Sequence, residues 1–306
     1  MAPAALDQPQ IADLRPGMAI EGVYACTRKD RLTTKAGAPY LALELRDRSG
    51  ALAGRAFRDA DFLAGQFERG ELVWVSGRVE RFRDELQAEL SAIRRSEDEA
   101  VAPEAFLPVA YRDLDELDGF LEHLAREEVY DRDYRRLLEA FLLDEAFRAE
   151  FRRAPCTRHG HHAYLGGLIE HTVAVGTLAT ELRTLHPRLN SDLVICAALL
   201  HDIGKTRAFA LGAEIALSEE GRLLGHVALG NAMVAERAAR VGDLPREKML
   251  ALAHCILTHH GADAVPGRRF ASAEALAVYR LNALDAGVKG ALEAGVTRVA
   301  SSPPRP

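Results

Sequence analysis

The chain has 306 residues, of which 48% are hydrophobic and 27% are charged, and its formal net charge is −6. This composition is ordinary for a globular protein and excludes a disordered or fibrous chain, and the length predicts two domains. No apolar run approaches the roughly 20 residues that span a bilayer, the first residues lack the layout of a signal peptide, and the four cysteines form no CxxC pair. We therefore expect a cytoplasmic protein with reduced thiols and no membrane partner.

Negative charge is concentrated in the middle of the chain. Residues 97–150 contain 17 acidic and six basic side chains, whereas residues 17–96 and 151–306 each carry a small net positive charge. A polyanion would be repelled by the middle segment but not by its flanks, so nucleic acid stays open as a partner. The balance argues only against a strong nonspecific binder.

After an N-terminal arm, residues 1–16, the sequence predicts short β-strands. Apolar and polar side chains alternate with period two, as in PYLALELRD, and glycines stand between the segments as turn formers. Five such segments, with a short helix near residues 62–67 between the third and the fourth, follow the order of an OB-fold. We predict an all-β OB-fold domain that binds nucleic acid over residues 17–95.

The remainder of the chain predicts helices. An acidic segment with two prolines, residues 96–110, is typical of a linker. Over residues 111–298 apolar side chains recur at steps of three and four, as in amphipathic helices that pack into a bundle. Residues 299–306 predict a disordered tail. The predicted fold class is a two-domain protein, with an N-terminal all-β OB-fold barrel followed by an all-α helical bundle.

Every histidine except His123 lies between residues 159 and 260. The segment DLVICAALLHDIGK is an apolar helix that ends in His201, Asp202 and Lys205. Burying an unpaired carboxylate is costly, and a bound cation removes that cost. An ion pair between Asp202 and Lys205 is the alternative. His171 lies on a second apolar helix, where a lone histidine is more often a hydrogen-bonded core residue than a ligand.

Further imidazole and carboxylate side chains follow downstream, each within or at the end of a predicted helix. Several helices of one bundle can converge such side chains on an interior site. A mixed set of this kind suits divalent Mn, Fe, Co, Ni or Zn better than Mg, and one aspartate can bridge two ions. We expect two divalent transition-metal ions. The downstream candidates are His226, His259, His260 and Asp285.

These residues carry a resemblance. The stretches HHAYLGGLIEHT, LLHDIGK, GRLLGHVALG, ILTHHG and LDA, in this order, resemble the HD-domain phosphohydrolase superfamily, and within it the YhaM-type 3′-to-5′ exoribonucleases, which also carry an N-terminal OB-fold. The resemblance implies that the bundle is an HD domain with two metal sites. The first site would comprise His171, His201, Asp202 and Asp285, with Asp202 as the bridge, and the second would add His226 and His259. Tyr279 and Asn282 depart from the family pattern, which tends to have His and Asp there.

No Ser-His-Asp or Cys-His arrangement and no glycine-rich phosphate loop competes as catalytic machinery, so we expect water that bridges the two ions to be the nucleophile. We predict that Lys205 contacts a substrate phosphate. His161 and His162 could bind substrate or protonate the leaving group, or could instead cap a helix or lie at the surface. His260 could orient its neighbour or touch substrate. The predicted catalytic residues are Asp202, Lys205 and His260.

The predicted barrel could hold a strand, with aromatic side chains that stack on bases and basic side chains that contact phosphates. Each aromatic could instead belong to the barrel core. The candidates are Tyr24, Arg28, Tyr40, Phe57 and Phe82, with Lys29, Arg31, Arg55 and Arg81 as further basic residues.

The leading hypothesis is a metal-dependent phosphodiesterase that acts as a 3′-to-5′ exonuclease on single-stranded nucleic acid, RNA before DNA. The first alternative is an HD-type hydrolase of a nucleotide or cyclic dinucleotide with a regulatory OB domain. The second is a non-catalytic protein that binds single strands. The native metal, sequence preference, homo-oligomerisation and the roles of His254 and His260 stay open.

Overall fold

The computed structural model describes residues 8–96, 106–242 and 244–295. The chain divides into two compact units, one comprising Met1–Pro108 with Leu211–Ala216 and the other Val109–Ala210 with Leu217–Pro306. The predicted tail, residues 299–306, and most of the predicted linker, residues 96–110, lie outside the described residues. Within the described part, no helix is long and apolar enough to cross a membrane.

The first unit is a closed barrel of five strands, β1 (Ala19–Thr33), β2 (Pro39–Asp47), β3 (Gly50–Ala56), β4 (Leu72–Phe82) and β5 (Glu85–Arg95), with a short helix, α1 (Ala60–Ala64), after β3. The strand order is β1-β2-β3-β5-β4. Strand β3 pairs with β5 in parallel, and the other pairs, including β1 with β4, are antiparallel. This is the OB-fold, as predicted.

The barrel core is filled by side chains from alternate positions of the strands. On β2 the side chains of Leu41, Leu43 and Leu45 are buried in the barrel core. On β1 the inward positions are Ile20, Tyr24 and Cys26. Tyr24 is therefore a core residue, and the expectation that it offers a stacking surface is wrong.

The described part of the predicted N-terminal arm packs on the barrel. Ile11 and Leu14 are buried in the barrel core, and the main-chain N–H of Ile11 donates to Asp47 Oδ2 over 2.7 Å. The Tyr24 hydroxyl donates to the main-chain oxygen of Pro9 over 2.7 Å. Residues 8–14 thus belong to the barrel's structure.

The second unit is mainly helical, as predicted. Asp113, Asp131, Asp144, Asn190 and Ser272 each cap a helix by accepting a main-chain N–H. The helices are α2 (Leu114–Glu127), α3 (Arg132–Leu142), α4 (Glu145–Arg153), α5 (Gly167–Leu185), α6 (Ser191–Leu200), α7 (Lys205–Ala208), α8 (Glu219–Leu223), α9 (Gly225–Val241), α10 (Arg246–Thr258) and α11 (Ala273–Glu293).

The burial of helix α6 positions the site. Helix α6 is buried on all sides from Leu193 to Leu200, which places its C-terminal end in the interior. A short hairpin, β6 (Phe209–Leu211) and β7 (Ile215–Leu217), follows α7 in the chain, and its residues Leu211–Ala216 belong to the first unit. The sequence did not predict this hairpin, because strands of three residues are too short to show a periodicity.

Candidate metal centre

The centre begins where α6 ends. The His201 ring is fully buried, and its Nδ1 lies 2.8 Å from the main-chain oxygen of Ala198. A carbonyl oxygen can only accept, so Nδ1 carries a proton, and Nε2 is the nitrogen that can offer a lone pair to an ion. His259, at the end of α10, repeats the arrangement, with Nδ1 2.6 Å from the oxygen of Ile256. Main-chain contacts of this kind orient imidazoles that bind metals.

Asp202 lies between two pairs of histidines. Its Oδ2 is 3.2 Å from His201 Nε2 and 3.6 Å from His171 Nε2. Its Oδ1 is 3.3 Å from Nε2 of both His226 and His259. The two oxygens of one buried carboxylate therefore face two separate groups of nitrogen donors.

Two buried polar atoms at this point have no hydrogen-bond partner, namely Asp202 Oδ1 and His259 Nε2. An unsatisfied buried carboxylate oxygen beside nitrogen lone pairs is costly unless a cation lies between them. The residues present therefore fit a metal ion. Imidazole nitrogen with carboxylate oxygen is the donor chemistry of divalent transition metals.

His260 joins the second group. One ligand atom each from Asp202, His226, His259 and His260 lies within 4.8 Å of the others, and Nε2 of His260 is 3.0 Å from Nε2 of His226. Partial burial and then His259 lower the pKa of His260 to about 3, so its ring is neutral at pH 7. A neutral ring in this place can bind metal.

His226 lies near Asp202 because the main chain at Gly204, just after α6, lies against the main chain of α9. A Cβ at Gly204 would collide with the main-chain oxygen of His226 and the main-chain nitrogen of Gly230. Only glycine allows the turn after α6 to lie against α9 at this distance. The Gly in HDIGK therefore has a packing role in the centre.

Asp285 was expected to join His201 and Asp202, and the structure places it elsewhere. Its Oδ2 is 2.6 Å from His171 Nδ1 and 3.1 Å from His162 Nε2, on the side of the His171 ring away from His201. Burial opposes its ionisation, but the hydrogen bonds from His162 and His171 hold the pKa of Asp285 well below its usual range. Asn282 occupies the other side of His171, with Oδ1 3.0 Å from Nε2.

Lys205 forms the ion pair that the sequence left as the alternative. Its Nζ is 2.6 Å from Asp202 Oδ2 and 3.2 Å from Cys156 Sγ, and the residue is only 5% exposed. Burial disfavours the ammonium, but Asp202 and Cys156 raise the pKa of Lys205 above its usual value. In this structure the charge of Lys205 is directed at Asp202.

A cavity of about 500 Å³ opens onto the centre. His161 lines it, whereas His162 is buried behind it and bonds Asp285 and Tyr164. Burial and then His171 and Lys205 lower the pKa of His161 to about 4, so it is neutral at pH 7. Sequence reasoning missed several lining residues, although the basic run TRHGHH was a signal for some of them. These are Cys156, Thr157, Arg158 and His159, whereas Tyr279 and Asn282, which the sequence singled out as departures from the family pattern, also line the cavity.

On the barrel, Tyr40 and Phe57 stack with ring centroids 5.4 Å apart, and the Arg55 guanidinium lies 5.9 Å from the Tyr40 ring. Phe57 is 46% exposed. At the turn between β4 and β5, Phe82 is 55% exposed and Arg83 lies over its ring. These five residues form two aromatic and basic patches, in which Tyr40 and Arg55 are half-buried and the other three are exposed. Arg28 is exposed and pairs with Asp30.

Comparison with known proteins agrees with this site. A family model described as the HD domain matches residues 168–287, which include all the histidines and the aspartate of the centre. The chain is thus a metal-dependent hydrolase of the HD type, as predicted.

Among curated proteins, the 3′-5′ exoribonuclease YhaM of Bacillus subtilis is 31% identical over 229 residues, 74% of this chain and 71% of the relative. The YhaM of Oceanobacillus iheyensis is 29% identical over 248 residues, 80% of this chain and 76% of the relative. The chain belongs to the YhaM family.

Among solved structures, the second OB-fold domain of replication protein A from Methanococcus maripaludis is 20% identical. The match covers 30% of this chain and 96% of that chain, with a TM-score of 0.25.

Proposed function

We propose that the chain is a 3′-to-5′ exonuclease that hydrolyses single-stranded RNA with water as the nucleophile and two bound divalent metal ions. The observation that carries the proposal is the position of Asp202. Its two buried oxygens face His171 with His201 on one side and His226 with His259 on the other. One carboxylate shared by two donor groups is the arrangement that a dinuclear hydrolase needs.

Two divalent ions held by these side chains would supply an activated water and would neutralise charge on the phosphate. The side chains supply the remaining functions. Asp202 holds the two donor groups together, and the main-chain contacts of His201 and His259 keep their Nε2 atoms directed inward. His161 is neutral and lines the cavity, so it can donate a hydrogen bond to substrate. Lys205 also lines the cavity, where it fixes Asp202.

The barrel would bind the strand. Stacking on aromatic side chains accepts any base, and adjacent guanidinium groups attract phosphates. The Tyr40–Phe57 pair with Arg55 lies on β2 and at the end of β3, and Phe82 with Arg83 lies at the β4–β5 turn. OB-folds bind oligonucleotides with these same regions. RNA as substrate and the 3′-to-5′ direction are supported by the printed names of the relatives.

The test offers Mn²⁺-loaded full-length protein 5′-labelled single-stranded RNA, DNA of the same sequence, and a panel of nucleotides and cyclic dinucleotides. We expect the RNA to shorten stepwise from its 3′ end, and Asp202→Asn, which keeps the shape of the side chain, to remove this activity. Asp263→Asn is the matched control, because Asp263 is an exposed residue that pairs with Arg268.

Three results would contradict the proposal. Turnover of a nucleotide with intact oligomers would favour the alternative of a nucleotide hydrolase. Binding of RNA without any cleavage would favour a non-catalytic binding protein. Equal shortening by Asp202→Asn would show that the activity comes from another site or protein.

A further inference from the structure

Helix α11 presents two polar side chains to His171, three residues apart. Asp285 lies on the Nδ1 side of the ring, with Oδ2 at 2.6 Å. Asn282 lies on the Nε2 side, with Oδ1 at 3.0 Å, and is 95% buried, since its relative exposure is 5%. The two residues therefore contact different nitrogens of the same ring.

The orientation of the Asn282 amide follows from its second contact. Its Nδ2 donates to the main-chain oxygen of His259 over 3.1 Å. That oxygen can only accept, so the nitrogen of the amide must face it. Oδ1 is thereby directed at His171 Nε2.

The tautomer of His171 follows from Asp285. The Asp285 carboxylate accepts from Nδ1, so Nδ1 carries a proton, and Nε2 is the nitrogen that can offer a lone pair to an ion. Three more electron-pair donors lie close to this Nε2, namely Asn282 Oδ1 at 3.0 Å, His201 Nε2 at 3.3 Å and Asp202 Oδ2 at 3.6 Å. The Lys205 ammonium contacts Asp202 Oδ2 at 2.6 Å, and a cation among the four donors would offset the repulsion between the remaining three.

We infer that the amide oxygen of Asn282 is a ligand of the first metal site, together with His171, His201 and Asp202, and that Asp285 is a positioning residue that acts through His171. The inference rests on the metal-dependent centre of the proposed function. It concerns which atoms bind the ion and does not depend on the substrate.

An amide can make both contacts of Asn282, whereas a carboxylate cannot. Aspartate at this position would place an oxygen against the main-chain oxygen of His259, and that buried acceptor would lose its donor. Asn282 therefore links the first site to the His259 of the second group. In exchange, the first site has a neutral oxygen where aspartate would add a negative charge, which weakens its electrostatic attraction for a divalent cation.

Metal binding tests the inference without RNA. Full-length protein stripped with a chelator is titrated with Mn²⁺, followed by the paramagnetic resonance signal of the free ion, and separately with Co²⁺, followed by its visible absorption. Three variants are compared with the wild type: Asn282→Leu, Asn282→Asp and Asp285→Asn. Asn282→Leu removes both polar atoms at similar volume, and Asp285→Asn keeps an acceptor for His171 Nδ1.

We expect Asn282→Leu to weaken the binding of one ion at least about tenfold, since loss of even an outer contact of a ligand costs 10–100-fold. Asn282→Asp should bind that ion more tightly than the wild type and change the Co²⁺ spectrum. Asp285→Asn should lose less affinity than Asn282→Leu. Circular dichroism of the stripped variants checks that each is folded, and Asn282→Asp serves as the test if Asn282→Leu is not.

The inference is overturned if Asn282→Leu binds both ions like the wild type while Asp285→Asn loses one, because Asp285 is then the ligand. It is also overturned if Asn282→Asp changes neither the affinity nor the Co²⁺ spectrum. A wild-type protein that binds metal as described but leaves RNA intact would contradict the proposed function and leave this inference standing.

Discussion

The metal centre and the aromatic patches of the barrel are built in opposite ways. His171, His201, Asp202 and His259 are almost completely buried, and each is held by at least one further contact. Phe57 and Phe82 are about half exposed, and each contacts one other exposed or half-buried side chain. Catalysis requires fixed geometry, whereas sequence-tolerant binding of a strand requires accessible faces. The comparison predicts that changes in the two regions have separable effects.

The largest effect is expected at Asp202. Asp202→Ala removes the carboxylate that faces both donor groups, so RNA hydrolysis should fall by about 10³-fold or more, because loss of metal-ion catalysis costs several kcal/mol and each factor of ten corresponds to about 1.4 kcal/mol. Affinity for RNA, measured by fluorescence anisotropy, should change little. A parallel loss of affinity would show that the centre, and not the barrel, holds the strand.

Metal removal should lower the thermal stability of the helical unit and leave that of the barrel unchanged. An ion that binds only the folded state at about 100 times its Kd stabilises that state by about 2.7 kcal/mol. Chelation should therefore lower the thermal transition of the helices, followed by far-ultraviolet circular dichroism. Trp74, the single tryptophan, lies on β4 of the barrel, and the transition followed by its fluorescence should not move. Equal shifts of both signals would contradict the separation.

Truncation of the Tyr40–Phe57 patch of the barrel should weaken the binding of RNA and leave the metal centre unchanged. Tyr40→Ala with Phe57→Ala removes the stacked pair, and each base that stacks on an aromatic side chain contributes about 1–3 kcal/mol. We expect weaker binding of single-stranded RNA by this amount and an unchanged metal content. Tyr24→Phe is the matched control, because it removes only a buried hydroxyl and its bond to Pro9. If the control weakens binding equally, bases do not stack on the Tyr40–Phe57 pair.

The smallest effect concerns the helical scaffold. Asp144 accepts the N–H of Phe147 at the start of α4 and pairs with Arg237, and these bonds lower the pKa of its carboxylate below 3.8. Asp144→Ala should cost about 1 kcal/mol of the free energy of unfolding at pH 7. A group with a lowered pKa contributes stability above its unfolded value and loses it as pH falls. The difference between the two proteins in urea melts should therefore shrink below about pH 3.8, and a constant difference would contradict this.

The order of the motifs in the sequence was sufficient to predict the OB-fold and a metal site around a buried aspartate. An apolar helix ending in a charged HD pair predicts a buried carboxylate, and the downstream histidines predict that a cation compensates it. Five alternating segments with a helix between the third and fourth predicted the OB-fold, which the strand order confirmed. Both predictions rest on local periodicity and on the cost of burying charge, which the sequence alone contains.

Tertiary packing decided the remainder. Asn282 and Asp285 are three residues apart on one face of α11, so spacing cannot tell which of them reaches His171 Nε2 and which reaches Nδ1. That depends on where α11 lies against α5. Alternation with period two likewise shows that every second residue of a strand shares a face. It does not show which face, and therefore which aromatic side chain, is directed into the barrel core. Tyr24 on β1 is buried in the barrel core and Tyr40 on β2 is only half-buried, because register between strands is set by long-range pairing and not by the strand itself.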